Sequence, residues 1–135
     1  MDYGRFADMT QDIMNSRCVY LYGQGEARGN CYNMQRELKY MNVSVLILDG
    51  RLQEDVMFEA QDLLIVCSTS GQLFEYNRRR VRKLKQMPVR KWLITWNANI
   101  SFCHNQLVIS SLDSSCNEMI MTYVIHTVLM HAETL

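Results

Sequence analysis

The sequence predicts a doubly wound α/β domain with a five-stranded parallel sheet. Five short apolar runs, rich in β-branched residues, alternate along the chain with segments of helical spacing. The runs are nearly continuous in apolar residues, which is typical of strands that are covered on both faces. The predicted strands are residues 18–22, 43–48, 63–67, 92–95 and 107–109.

The helices between these strands are best defined at residues 27–41 and 74–86, with a weaker candidate at 52–60. A last helix is predicted from the S-x-x-E sequence at residues 115–118, in which serine and glutamate satisfy exposed backbone donors reciprocally. It runs to about His131, with apolar residues on almost every side. Such a helix needs burial on more than one side, so we expect a homodimer contact through it.

The length and composition predict one folded domain that spans residues 1–135. The chain is 48% hydrophobic and 21% charged, which is ordinary globular composition. Residues 1–15 have the spacing of a short amphipathic helix packed against the domain. They are too few for a helix-turn-helix unit, so any contact with DNA would require a module outside this chain.

Charge and cysteine content exclude several classes of partner. Lys plus Arg equals Asp plus Glu at 14 each, so no overall field favours nucleic acid or an anionic membrane. No apolar run approaches the roughly 18 residues that a membrane span needs. The five cysteines form no C-x-x-C pair, which indicates reduced thiols in the cytoplasm and no metal site. No cofactor is expected.

The residues directly after the predicted strands are the candidate site, because ligands of open α/β sheets bind beyond the carboxyl ends of the strands. The first strand leads into Gly23-Gln24-Gly25. As a dinucleotide fingerprint this turn is weak, because the third glycine, Gly29, comes one residue late, although Asp49 lies where a ribose-binding acid would be. The alternative is a tight turn between strand and helix, which needs residues without a Cβ.

Hydroxyl-rich loops follow the third and fifth predicted strands. The first is Ser68-Thr69-Ser70-Gly71-Gln72, where three hydroxyls and a glycine open a helix, which favours an anion such as phosphate over simple N-capping. The second contains Ser114 and Ser115, which precede the last helix. It either closes over the same ligand or is a solvated loop that serves only the capping box.

The order of these segments resembles the sugar isomerase (SIS) domain over residues 16–131. Residues 64–75, LIVCSTSGQLFE, are similar to the apolar strand and S-x-S-G-x-T-x-E motif of that family, and Gly23-Gln24-Gly25 to its G-x-G turn. The serine-rich segment before the last helix is most similar to the effector domains of RpiR-type transcriptional regulators. These domains bind sugar phosphates and pair with one another.

The resemblance implies a single flavodoxin-like, three-layer α/β/α domain that binds a sugar phosphate. The implied ligand-binding residues are Gly23, Gln24, Gly25, Ser68, Thr69, Ser70, Gly71, Gln72, Ser114 and Ser115. Two hydroxyls of the family pattern are replaced here, by Ala27 and Leu73. We therefore expect phosphate binding to be weakened or retuned rather than necessarily abolished.

The sequence contains no convincing catalytic constellation. Isomerisation of a sugar phosphate needs a base, and the candidates are Glu26, His104, Asp113 and Glu118. Glu118 is already accounted for by the capping box, and His104 has no identifiable partner. A regulatory domain that senses a sugar phosphate is therefore the leading hypothesis. The alternatives are a small aldose-ketose phosphosugar isomerase and a degenerate SIS domain that serves dimerisation.

A basic run at residues 78–85 is the strongest charge cluster in the chain. It is a candidate nucleic-acid contact. However, Val81 and Leu84 have helical spacing, and no aromatic residues interleave with the cations for base stacking. The run is therefore predicted to be the solvated face of a helix that covers the sheet.

Overall fold

Five parallel strands form one sheet in the computed structural model of the chain, which describes residues 3–24, 26–48, 58–68, 78–95, 100, 102–108 and 130. Every pair of neighbouring strands is parallel, and their order in the sheet is β2-β1-β3-β4-β5. The fold class predicted from the sequence is confirmed. The strands are β1 Val19–Gly23, β2 Val45–Ile47, β3 Leu63–Ser68, β4 Arg90–Thr95 and β5 Gln106–Val108.

Three helices are described: α1 Tyr3–Met14, α2 Glu26–Tyr40 and α3 Arg78–Gln86. The first two agree with prediction to within two residues, and α3 forms the carboxyl-terminal part of the predicted helix at 74–86. The weak candidate at 52–60 is wrong at its end, because residues 58–60 are not helical. Residues 52–57 lie outside the described chain. Of the predicted last helix only Met130 is described, and it is helical and exposed.

The two faces of the sheet have separate hydrophobic cores, because side chains alternate along each strand. On one face, Val19, Leu21, Ile65 and Ile94 pack with residues from α1 and α2. On the other face the core includes Val81 and Leu84 from α3; its strand residues are Tyr20, Tyr22, Leu64, Val66 and Leu93. None of the helices in the described ranges is long and apolar enough to cross a membrane.

A buried carboxylate joins the amino-terminal ends of β1 and β3. Asp62 has a fully buried side chain that accepts hydrogen bonds from Arg17 Nε and Nη2, at 2.9 and 2.8 Å. It also accepts one from the backbone amide of Glu59, at 2.9 Å. This last bond forms the turn that replaces the predicted end of the helix at residues 58–60.

The ionisation of Asp62 is favoured by these partners. Burial opposes it, but the hydrogen bonds from Arg17 and from the backbone amides of Glu59 and Cys18 outweigh burial and hold the pKa of Asp62 below its ordinary value. The carboxylate therefore stabilises the fold above its unfolded-state pKa, about 4. This contribution is lost as the pH falls through the lower pKa of the folded state.

We predict that Asp62→Asn lowers the melting temperature at neutral pH by about 4–8 °C, because it replaces a charged acceptor of at least three hydrogen bonds. Asp8→Asn, which changes an exposed carboxylate on α1, is the matched control and should leave the melting temperature nearly unchanged. Melting curves followed by circular dichroism between acid and neutral pH measure both. The wild type should lose its advantage over Asp62→Asn on acidification, and equal melting at neutral pH would contradict the assignment.

Candidate functional site

The end of β1 packs directly against the start of α2, with no room for a side chain at Gly23. A Cβ placed on Gly23 would lie 2.9 Å from the carbonyl oxygen of Ala27 and 3.0 Å from Cys31 Sγ. The first of these neighbours is backbone, so it cannot move without displacing the helix. This close contact, rather than the glycine pattern alone, accounts for the glycine at position 23.

The pairing of β1 with β3 brings together the first residues of the two predicted binding loops. Gly23 is the register partner of Cys67, so Gln24 and Ser68 are the next residues along two neighbouring parallel strands. Gln24 is exposed, whereas Ser68 is buried, with 4% of its surface accessible. Of the predicted ligand-binding residues, the structure therefore places Gly23, Gln24 and Ser68 at one carboxyl edge of the sheet.

The remaining predicted binding residues lie outside the part of the chain that the structure describes. They are Gly25, Thr69, Ser70, Gly71, Gln72, Ser114 and Ser115.

Tyr22 links this edge to α3, a connection that the sequence analysis did not predict. The ring is almost fully buried, and its phenol oxygen accepts a hydrogen bond from Gln24 Nε2 at 2.7 Å. The same oxygen accepts a second bond from Arg80 Nη1 at 2.9 Å. The Arg80 guanidinium carbon lies 6.0 Å from the centroid of the Tyr22 ring. Tyr22 thus holds both the side chain of Gln24 and a cation at the carboxyl edge.

Polar side chains are concentrated on one face of this edge. Tyr22 belongs to the core beneath α3, and alternation along the strands places Ser68 and Thr95 on the same face. Ser68 and Thr95 are register partners on β3 and β4, and both are buried. A phenol, two hydroxyls and a guanidinium are hydrogen-bond donors, so the arrangement suits an anionic or hydroxyl-bearing ligand.

The opposite face of the same edge is apolar and contains two buried thiols. Cys31 of α2 and Cys67 of β3 belong to one core cluster, and both have almost no accessible surface. The hydrogen bond with the Cys31 thiol, together with burial, raises the pKa of the Cys67 thiol well above its ordinary value. The Cys67 thiol therefore stays protonated, and both cysteines act as small core residues.

The candidate bases do not assemble a catalytic site among the described residues. His104 is exposed and precedes β5, so it lies at the amino edge of the sheet, opposite the predicted binding loops. Asp113 and Glu118 lie outside the described residues, as does the side chain of Glu26. Within the described ranges, no group of three or more His, Cys, Asp or Glu side chains is arranged to hold a metal ion.

The basic run on α3 is mainly a solvated face, as predicted. Val81 and Leu84 are buried in the core, whereas Arg79, Arg82 and most other cations of the run are exposed. Arg80 is the exception, because it is half-buried and bonded to Tyr22. Its spacing alone could have indicated an inward position, since it lies four residues before Leu84 on the helix.

Comparisons with known proteins identify the fold. No protein-family model matches the chain, and no curated protein matches it. Among solved structures, the sugar isomerase domain of an RpiR transcription factor from Sphaerobacter thermophilus superposes with a TM-score of 0.69 at 14% identity. That match covers 99% of this chain and 88% of the other. A putative phosphosugar isomerase involved in capsule formation, from Bacteroides fragilis, gives a TM-score of 0.73 at 14% identity.

The Bacteroides match covers 93% of this chain and 76% of the other. A third similar structure is the Vibrio vulnificus NanR protein complexed with ManNAc-6P, with a TM-score of 0.73 and 11% identity. This chain is covered over 98% of its length and spans 55% of that protein. The chain therefore has the fold of sugar isomerase domains, and the resemblance predicted from its sequence is confirmed at the level of the fold.

We predict opposite effects for two glycine substitutions that add the same methyl group. Gly23→Ala should destabilise the fold by about 1–3 kcal/mol, because the new Cβ meets the backbone of α2. Gly29→Ala, inside α2 with no atom beyond the adjacent helix backbone within 4 Å of the new Cβ, should stabilise it by about 0.5–1 kcal/mol. Urea denaturation measures both free energies of unfolding. A Gly23→Ala variant as stable as the wild type would contradict the close packing of β1 against α2.

Proposed function

We propose that this chain is a sugar-phosphate-binding regulatory domain of the RpiR type. The observation that carries the proposal is the position of Ser68 beside Gln24 at the carboxyl edge of β1 and β3. The sequence after Ser68 adds two hydroxyls and a glycine before α3, a composition suited to a phosphate. Proteins of the same fold include one complexed with ManNAc-6P and one described as an RpiR sugar isomerase domain.

In this proposal Ser68, Ser70 and the adjacent backbone amides hold the phosphate, and the turn at Gly23 to Gly25 borders the sugar. Ser114 and Ser115 close over the ligand from the carboxyl-terminal side. The domain pairs with a second copy through the last helix, and ligand binding shifts the arrangement of the pair. DNA is contacted through a separate module, and the protein acts in the cytoplasm.

A regulatory role is favoured over isomerisation by the position of His104. A base must lie within hydrogen-bond reach of the proton that it abstracts, and this histidine lies at the amino edge of the sheet. The phosphosugar isomerase from Bacteroides fragilis, with the same fold, makes an enzyme the second candidate. A degenerate dimerisation domain, which Ala27 and Leu73 favour, is the third.

We predict that sugar phosphates stabilise the chain in a thermal shift assay, because a ligand that binds only the folded state raises its stability by mass action. At 100 times its Kd a ligand adds about 2.7 kcal/mol, which is roughly 8 °C for a domain of this size. The panel pairs each aldose or ketose phosphate, including ManNAc-6P, with its unphosphorylated sugar. Only the phosphorylated member of a pair should raise the melting temperature.

The variants Ser68→Ala and Ser70→Ala should reduce this shift, because each removes a hydroxyl donor from the proposed phosphate loop. Ser44→Ala is the matched control, since Ser44 is exposed and precedes β2 at the amino edge. No shift with any phosphate would contradict the proposal and favour the dimerisation domain. Interconversion of an aldose and a ketose phosphate, followed by NMR, would favour the isomerase.

A further inference from the structure

Arg80 differs from the other cations of the basic run because it is half-buried and its guanidinium is bonded to a core residue. Its Nη1 donates a hydrogen bond to the phenol oxygen of Tyr22, and Tyr22 is only 1% exposed. Exposed cations such as Arg79 and Arg82 are surrounded by water, in which their charge is strongly screened. Arg80 is half-buried, so its charge acts over the carboxyl edge with less screening. In the described part of the chain, no carboxylate forms an ion pair with it.

The Arg80–Tyr22 pair retains several unused donors. A guanidinium has five N–H groups, and the bond to Tyr22 uses one of them. The phenol oxygen is the acceptor in both of its bonds, from Arg80 and from Gln24, so neither bond uses the phenol hydrogen. The Arg80 guanidinium and the Tyr22 hydroxyl are thus held side by side. Together they suit a negatively charged acceptor with several oxygens.

These donors lie on the same side of the sheet as Ser68, the first residue of the proposed phosphate loop. Tyr22 pairs in register with Val66, and Ser68 follows two residues later on the same strand face. Two residues of a strand span about 6.6 Å. Arg80 bonds to Tyr22 on this face, so Arg80 and Ser68 lie on the same side of the carboxyl edge.

We propose that Arg80 is the cationic contact of the sugar-phosphate site, and that Tyr22 positions both Arg80 and Gln24 for the ligand. This inference rests on the proposed function and adds to it a residue that the sequence motif does not contain. The guanidinium supplies charged donors in a site where Ala27 and Leu73 supply none. Gln24, whose amide nitrogen is bound by Tyr22, presents its amide oxygen to a sugar hydroxyl.

Calorimetric titration of the full chain with the sugar phosphate that gives the largest thermal shift tests this proposal. Arg80→Gln should raise the Kd about 10- to 100-fold, the range expected for loss of a charged hydrogen bond. Arg82→Gln removes the same charge from an exposed position of the same helix, and should change the Kd less than about twofold. The Kd of Arg80→Lys should lie between those of the wild type and Arg80→Gln, because lysine keeps the charge but lacks the planar guanidinium and its several donors.

Tyr22→Phe separates positioning from charge. It keeps the charge of Arg80 but removes the phenol oxygen that positions it, so the Kd should rise several-fold while the melting temperature without ligand falls only slightly. A merely structural role for Arg80 predicts the opposite pattern, in which Arg80→Gln lowers the melting temperature and leaves the Kd unchanged.

The outcomes distinguish this inference from the proposed function. If the wild type binds a sugar phosphate and folded Arg80→Gln binds it equally well, the role of Arg80 is wrong and the proposed function stands. If Arg80→Gln does not fold, Arg80→Lys takes its place in the test. A Kd for Arg80→Lys equal to that of the wild type would then overturn the proposed role of Arg80. If the wild type binds no sugar phosphate, both are overturned.

Discussion

The contact between Gly23 and α2 determines how the chain leaves β1 at the carboxyl edge of the sheet. Because Gly23 has no Cβ, the backbone of Ala27 comes within van der Waals distance of the end of β1, and α2 begins immediately above the sheet. The chain therefore leaves β1 in a short turn instead of a long loop that would cover the strand ends. Gln24 occupies this turn and remains exposed beside Ser68 on the neighbouring strand. The exposed position of Gln24 follows from the packing of one residue without a side chain.

The two faces of the carboxyl edge differ in chemistry although the same strands form both. Cys31 and Cys67 make the α2 face apolar, and the hydrogen bond with Cys31, together with burial, raises the pKa of the Cys67 thiol and keeps it neutral. The α3 face carries Tyr22, Ser68 and Thr95, with Arg80 above them. Alternation along a strand sends successive side chains to opposite faces, so a donor-rich face and a hydrophobic face can coexist at one strand end. Among the described residues, the hydrogen-bond donors of the carboxyl edge therefore lie on the side of α3.

The sheet could be predicted from the sequence because its strands are buried on both faces. The run from Leu63 to Cys67 is apolar at every position, which no solvent-facing strand tolerates, and it is followed at once by hydroxyls and glycine. The helix predicted at residues 52–60 was wrong at its end because a local side-chain hydrogen bond, from the Glu59 amide to the Asp62 carboxylate three residues later, competes with the helix there.

The Tyr22–Arg80 pair could not be predicted for a different reason. The two residues are 58 positions apart, and their contact depends on how α3 is set across the sheet. In the sequence, Arg80 is one of several adjacent cations, and helical spacing indicates which of them face inward without identifying a partner. Charged side chains near the border of a buried face are therefore the part of a site that sequence patterns describe least well.

The central claim is that a sugar phosphate binds at the carboxyl edge of β1 and β3. The most direct test is amide chemical-shift mapping of the isotopically labelled chain during titration with each sugar phosphate of the panel. The account predicts that the largest perturbations occur at Gly23, Gln24 and Ser68, with a weaker response along α3. Perturbations centred instead on the amino edge, near Arg17 or His104, would contradict it.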